Sequence, residues 1–259
     1  MQDSVYNGLF GALTQSYRLD VIVNNLANVN TTAYKCDKMA FEDVLFHFAH
    51  DFLDPNPGIC GGVRWPEKDL LTQPRIAEKR IDFSQGPLIS TGNSLDLAIS
   101  GPGFFKVITP QGHTFYTRAG NFSLDSQGFI VDPHGNQLLG TSGPIQLPSR
   151  GKITIQKDGT ILLGNVQIGK IDVVELSNLR SLKKVGENLY APKKGTNIQE
   201  QPAQGSKILQ GYLEGSNVVL VKEMVKMIET LRTFEECQKV MTNTNDEDRN
   251  LINKVGTPT

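Results

Sequence analysis

Apolar residues near the N-terminus recur at Tyr6, Phe10, Leu13 and Tyr17, a spacing that puts them on one face of a helix. The stripe then changes phase to Leu19, Ile22, Leu26 and Val29. One predicted helix over residues 1–35 therefore carries two apolar faces, where a lone surface helix needs one. From about residue 216 to 254 the period is helical again. Leu220, Met224, Met227, Leu231 and Phe234 follow a four-three repeat that Met241 continues, and Val218, Val221, Val225 and Ile228 run beside them. This is an a/d seam with a flanking apolar row. Gly215-Ser216-Asn217 supplies oxygen side chains that suit a helix start.

The middle of the chain has another rhythm. From about 83 to 213 short apolar runs, such as the alternating Leu95, Leu97 and Ile99, are punctuated by DSQG (125–128), DPHG (132–135) and KDGT (157–160). Asp bonds its own backbone and Gly tolerates positive φ, so these read as hairpin turns of an all-β domain. Residues 36–82, with Pro55, Pro57, Pro66 and Pro74, show no sustained period and read as a linker with short pieces of structure. The expected organisation is α+β. A helical part (1–35) is followed by an irregular linker (36–82), a central β domain (83–214) and a second helical part (215–259). The terminal helices are expected to pair as a coiled-coil-like inner domain. Each has more apolar face than one partner covers, so the leftover faces point to assembly.

One stretch stands out. VNNLANVNTT (23–32) holds four asparagines within seven residues, at the end of the first helix. Asn30-Thr31-Thr32 suits a helix stop. Asn24, Asn25 and Asn28 sit beside the Leu26/Val29 seam, where polar residues fix register as they do in coiled coils.

Composition narrows the function classes. The 259 residues carry 26 basic and 27 acidic side chains, so no charge excess points to nucleic acid or an anionic surface. Cys36, Cys60 and Cys237 lie far apart, against a disulfide framework or a zinc site, and read as small packing residues. No apolar run reaches the ~20 residues of a membrane span, and no cleavable secretory signal opens the chain.

Candidate chemistry is thin. His47 and His50, three apart, lack a third ligand placed by spacing and read as a solvated helix face. Gly101-Pro102-Gly103 lacks the third glycine of a dinucleotide loop, because Lys106 stands there, and reads as a tight turn. No G-x-S-x-G occurs, and none of the four histidines has a nucleophile context. The Asn30 and Asn121 sequons read as chance matches. No catalytic residue, metal or cofactor is assigned. The competing classes are an enzyme, which needs a polar pocket in the β domain, and a homo-oligomeric β-domain binding module.

Four blocks in order, NNLANVNTTAYK (24–35), STGNSLDLAISGPGFFKV (90–107), YTRAGNFSLDSQGFIVDPHGNQLLG (116–140) and GYLEGSNVVLVKEMVKMIETLRTFE (211–235), resemble the bacterial flagellar rod and hook protein family. The length fits a basal-body rod protein better than the longer hook protein. The opening MQDSVYNGLFGAL and the GPIQLP at 143–148 lean toward the proximal over the distal rod type. The resemblance implies a structural subunit of a hollow helical drive shaft that crosses the periplasm, transmits torque and allows axial export. It also implies passage through the flagellar type III export apparatus without a cleaved signal. The implied partners are other copies of the chain and neighbouring axial proteins, with no nucleic acid and no direct membrane span. The subunit interface or coiled coil is expected at Tyr6, Phe10, Leu13, Tyr17, Ile22, Asn24, Asn25, Leu26, Asn28, Val29, Leu220, Met224, Met227, Ile228, Leu231 and Phe234. The family commonly has Gly where this chain has Ala33, which is a strained choice if that position holds a positive φ.

Overall fold

The computed structural model describes residues 2–46, 71–147, 151, 153–193, 195–196, 198–203 and 205–255. His47, His50 and Cys60 lie outside the described residues. The chain divides into two compact units. One comprises Met1–Asn24, Asp37–Arg80 and Val221–Thr259, and the other Asn25–Cys36 and Ile81–Leu220.

The first unit holds two long helices, α1 (Gln2–Ala27) and α2 (Leu220–Val255, whose first residue belongs to the second unit). It also holds two strands, β1 (Asp37–Phe46) and β2 (Leu71–Ile81, whose last residue belongs to the second unit). These strands form a two-stranded sheet where the sequence reads as irregular linker. Helix α1 stops at Ala27, short of the expected residue 35. The two helices meet at small residues. A Cβ built on Gly8 would lie 2.9 Å from Met241 Cγ, and one on Gly11 would lie 3.0 Å from Cys237 Sγ. Moving forward along α1 moves the contact backward along α2.

Among the described residues, the buried and half-buried positions of α2 are Glu223, Met227, Thr230, Phe234, Cys237, Met241 and Thr244, a four-three repeat, with Lys226 beside it. This row shares Met227, Phe234 and Met241 with the repeat read from the sequence, but takes Glu223 and Thr230 in place of Met224 and Leu231. Leu220, Val221, Met224, Val225, Ile228 and Leu231 are exposed, Val221 to 69%. In the inner row Thr230, Cys237 and Thr244 alternate with Met227, Phe234 and Met241. The inner threonines satisfy themselves: Thr230 Oγ1 donates to Lys226 O (2.6 Å) and Thr244 Oγ1 to Val240 O (2.8 Å). A hydroxyl bonded to its own preceding turn is buried at little cost.

The second unit is almost all β. Its strands are β3 (Leu88–Ser90), β4 (Leu97–Ser100), β5 (Phe104–Ile108), β6 (Thr114–Thr117), β7 (Ser123–Leu124), β8 (Ile130–Val131), β9 (Gln137–Gly140) and β10 (Gly143–Pro144). There follow β11 (Ile153–Ile155), β12 (Thr160–Leu163), β13 (Val166–Lys170), β14 (Val173–Leu176), β15 (Leu182–Gly186) and β16 (Leu189–Pro192). The last are β17 (Glu200–Pro202), β18 (Lys207–Gln210) and β19 (Tyr212–Glu214). The main sheet runs β15-β16-β6-β5-β9-β8-β7, with β10 on β9, β14 on β5 and β17 on β14. A three-stranded sheet β11-β12-β13 and the antiparallel pairs β18–β4 and β19–β3 complete it.

The three expected turns are present. DSQG joins β7 to β8, DPHG joins β8 to β9, and KDGT joins β11 to β12. In the second, Asp132 Oδ1 accepts the His134 and Asn136 N–H groups at 2.9 and 2.8 Å. In the third, Asp158 Oδ1 accepts the Thr160 N–H at 3.1 Å. Inward positions build two cores. One holds Leu97, Ile99, Phe105, Val107, Ile130, Leu138 and Ile161, with Phe105 and Phe122 edge to face at 5.5 Å. The other centres on Phe104 and Tyr190, with Phe83 against both rings.

Candidate functional site

The candidate site is the place in the β unit where the chain leaves for both terminal helices. After Ala27 the backbone winds down through three-residue turns: Asn28 N–H to Asn25 O, Val29 N–H to Leu26 O, Thr31 N–H to Asn28 O and Tyr34 N–H to Thr31 O. Residues 28–36 then cross the β unit as a strap. Side chains and backbone from distant strands hold its main chain. Asn188 Nδ2 donates to Thr32 O (2.8 Å), the Ala33 N–H donates to Glu214 O (2.7 Å), and Lys184 Nζ donates to Lys35 O (2.6 Å). The Cys36 N–H donates to Asn217 Oδ1 (2.7 Å), and the Asp82 N–H donates to Cys36 O (2.9 Å). Asn217, expected to start α2, thus ties the strap. Its Nδ2 also donates to Asp82 O at 2.8 Å.

Under the strap sits a charged cluster. Lys35 Nζ meets Glu214 Oε1 at 2.5 Å and Ser84 O at 2.8 Å, and both side chains are fully buried. Glu214 Oε1 also accepts the Gly86 N–H (2.9 Å), and Oε2 faces Arg118 Nη1 at 3.4 Å. Arg118 Nη2 donates to Gly101 O (2.9 Å), and its guanidinium lies 5.3 Å from the Phe104 ring centre. Two cations therefore share one carboxylate. Burial pushes the Lys35 ammonium below the ordinary lysine range, and the charge and hydrogen bond of Glu214 recover only part of that. Removing one partner from such a buried cluster costs about 3–5 kcal/mol, because the other charge is left uncompensated. Gly86 is required by close approach, since a Cβ there would lie 2.1 Å from Gly215 O.

Ala33 has φ +54° and no exposed surface. The left-handed region costs an L-residue roughly 1–2 kcal/mol, because Cβ crowds the following carbonyl. The strain suspected at this position from the resemblance is present.

The four asparagines of VNNLANVNTT take different places. Asn24 and Asn30 are exposed. Asn25 is buried and accepts a hydrogen bond from Tyr34 Oη at 3.2 Å. Asn28 Oδ1 accepts from Thr31 Oγ1 at 3.1 Å, inside the turn. Of the other expected interface residues, Ile22 is buried, and Phe10, Leu26, Val29, Met227 and Phe234 are half-buried. Leu13, Tyr17, Leu220, Met224, Ile228 and Leu231 are exposed. Tyr6 lies on α1. The structure thus separates an inner set from an outer one, and it brings Asn25 and Asn28 to the junction. Lys35, Arg118, Glu214, Lys184 and Asn188 were not foreseen. Lys35 and Glu214 lie 179 positions apart, and no local pattern pairs them.

The β unit also has a cavity of about 350 Å3, lined by Asn28, Thr31, Asn121, Asp132, His134 and Glu187 among others. Its buried carboxylate, Asp132, is engaged by the His134 and Asn136 N–H groups and by Asn136 Nδ2. His134 Nδ1 lies 3.2 Å from Glu187 Oε1 at the half-open rim. Among the described residues no cluster of three or more His, Cys, Asp or Glu is placed to hold a metal, and no helix is long and apolar enough to cross a membrane.

Three family models match the chain in order. "Flagella basal body rod protein" matches residues 6–35, "Flagellar hook protein FlgE/F/G D1 domain" matches 98–163, and "Flagellar basal body rod FlgEFG protein C-terminal" matches 209–254. Lys35, Arg118 and Glu214 fall one in each. The chain is 35% identical to the flagellar basal-body rod protein FlgF of Caulobacter vibrioides, over 99% of both chains. It is 34% identical to FlgG of Agrobacterium fabrum, over 94% of this chain and 95% of the relative. It is also 34% identical to FlgG of Bacillus subtilis, over 98% and 99%. With near full-length similarity and three matched segments that each supply one charge of the buried cluster, the chain belongs to the flagellar basal-body rod protein family.

Proposed function

We propose that this protein is a structural subunit of the flagellar basal-body rod and not an enzyme, and that its outward apolar stripes are its contacts with neighbouring subunits. The observation that carries the reading is the inverted helical unit. Leu9, Leu13 and Tyr17 on α1, and Val221, Met224, Val225, Ile228 and Leu231 on α2, are exposed, while Gly8, Thr230 and Cys237 take inner positions beside Ile22, Met227 and Phe234. An apolar face of that extent marks an interaction site. Fully burying each such side chain contributes about 1.5–3 kcal/mol. Repeated along a helical polymer, these contacts hold a shaft together without any single strong site. A heterologous contact that does not close on itself propagates such a polymer. In this reading α1 and α2 pair as a coiled-coil-like inner domain. The partners are copies of this chain and adjoining axial proteins, with the export apparatus met in transit.

The test is Leu231→Asp in a strain carrying no other copy of the gene. The variant is expected to stay folded, as read by the β-unit near-UV signal. It should be missing from isolated basal bodies, and cells should not swim. Normal incorporation and swimming would sink the reading. The position of a labelled subunit along the basal body separates the proximal type, toward which the GPIQLP block leans, from the distal type.

A further inference from the structure

We propose that residues 28–36 form a detachable strap, which docks on the β unit and leaves it as a separate step without unfolding that unit. The two cores of the β unit are complete without it, since neither contains a residue from 25–36. Only Ala33 and Tyr34 of the strap are buried apolar residues, and Tyr34 lies under the Lys184 ammonium, 4.1 Å from the ring centre. The strap is held chiefly by polar contacts: the Asn188, Lys184 and Asn217 side chains, the Glu214 carbonyl, and the Lys35–Glu214 pair. Against these stand the left-handed backbone at Ala33 and a cluster in which Lys35 and Arg118 share one carboxylate. The strap is thus held by contacts separate from the two cores, so it can open locally without disturbing them.

The strap sits between the residues that lead to the two helices. The strap continues α1, and Glu214 and Asn217 lead into α2. Docking the strap fixes the exit of one helix onto the residues that start the other. Opening it releases residues 28–36 while the β unit stays folded. The inference concerns the monomer and stands whether or not the outward stripes are the polymer contacts.

The experiment is amide hydrogen exchange on the full-length monomer. The Ala33 and Cys36 amides are expected to exchange at least tenfold faster than those of β5 and β6. Glu214→Gln should speed the strap amides at least a further tenfold and leave β5 and β6 within twofold. Ala33→Gly, which relieves the backbone, should slow them severalfold. If Glu214→Gln does not fold, Asn188→Ala serves instead, with a smaller acceleration confined to the strap. The proposal is overturned if strap and core amides exchange together in the wild type. It is equally overturned if either destabilising variant accelerates both by the same factor.

Discussion

The two units solve the burial problem in opposite ways. The β unit places Phe104, Phe105, Leu138, Ile161 and Tyr190 inside, with almost no exposed surface. The helical unit turns Gly8, Gly11, Thr230 and Cys237 inward and leaves Leu13, Tyr17, Val221 and Ile228 in solvent. A monomer gains nothing from that inversion. Hydrophobic burial is the dominant favourable contribution to folding, so a helix pair evolved to stand alone would put its larger residues between the helices. The difference teaches that one unit hides its large apolar residues within its own chain and the other leaves a row of them in solvent.

The largest effect that probes this contrast comes from truncating one large residue in each unit. Phe105→Ala removes a fully buried ring from the β core and is expected to cost about 3–5 kcal/mol of monomer stability. Ile228→Ser removes a half-exposed side chain and is expected to change monomer stability by less than about 0.5 kcal/mol. Urea denaturation of the monomers reads both. A cost of several kcal/mol for Ile228→Ser would mean that the outer stripe is already covered in the monomer, and the contrast would collapse.

A smaller effect tests the inner row. Gly8→Leu places a side chain where even a Cβ sits 2.9 Å from Met241 Cγ. Overpacking costs about 1–3 kcal/mol, partly offset by the better helix propensity of leucine, worth up to about 1 kcal/mol. The net expectation is a loss of about 1–2 kcal/mol in helix stability, read as lower helical content or a lower melting temperature of the helical signal. A neutral result would show that the helices do not meet at Gly8 in the free subunit.

What the sequence made legible follows the same division. The DSQG, DPHG and KDGT turns were readable because the bonds of Asp132 and Asp158 are local. The helical repeat was readable too, since a 3.5-residue period survives in any phase. Which phase faces inward was not. The repeat read from the sequence mixes inner Met227, Phe234 and Met241 with outer Leu220, Met224 and Leu231, because the inner row is set by the close approach at Gly8 and Gly11, a fact about a helix more than two hundred residues away. Strands β1 and β2 were hidden because proline-rich sequence argues against strands, although Pro74 lies within β2 and an edge position tolerates it. The junction was the least legible part. Lys35 and Glu214 each read as an ordinary charged residue, and only the fold gives them to each other. The asparagine run was legible as unusual, but Asn25 and Asn28 hold the root of the strap instead of lying along a seam.

The smallest expected effect sharpens the comparison from the polar side, at a cross-strand contact on the surface of the β unit. Lys106 Nζ lies 2.8 Å from Glu200 Oε2 and 3.6 Å from Asp172 Oδ2, and Tyr116 Oη donates to Glu200 Oε1 at 2.5 Å. Partial burial opposes both charges, yet the hydrogen bonds and charges of the contact outweigh it. Lys106 is raised above its ordinary value and Glu200 is held below its own. The signs set the pH window. A carboxyl with a lowered folded pKa contributes stability that is present above its unfolded value, about 4.5, and is lost as pH falls through the folded value. A lysine with a raised folded pKa contributes below about 10.5, and loses that contribution as pH rises through the folded value. The Glu200 side chain is 37% exposed, so solvent screening keeps the whole effect below about 1 kcal/mol. Glu200→Gln keeps an acceptor for Tyr116 and removes only the charge. Its deficit against the wild type in urea denaturation should be present at pH 7, shrink as pH falls below 4, and weaken at high salt. A deficit that is the same at pH 7 and pH 3 would mean that the contact acts through shape alone. Polar groups in the β unit would then owe as little to charge as the self-bonded threonines of the inner helical row.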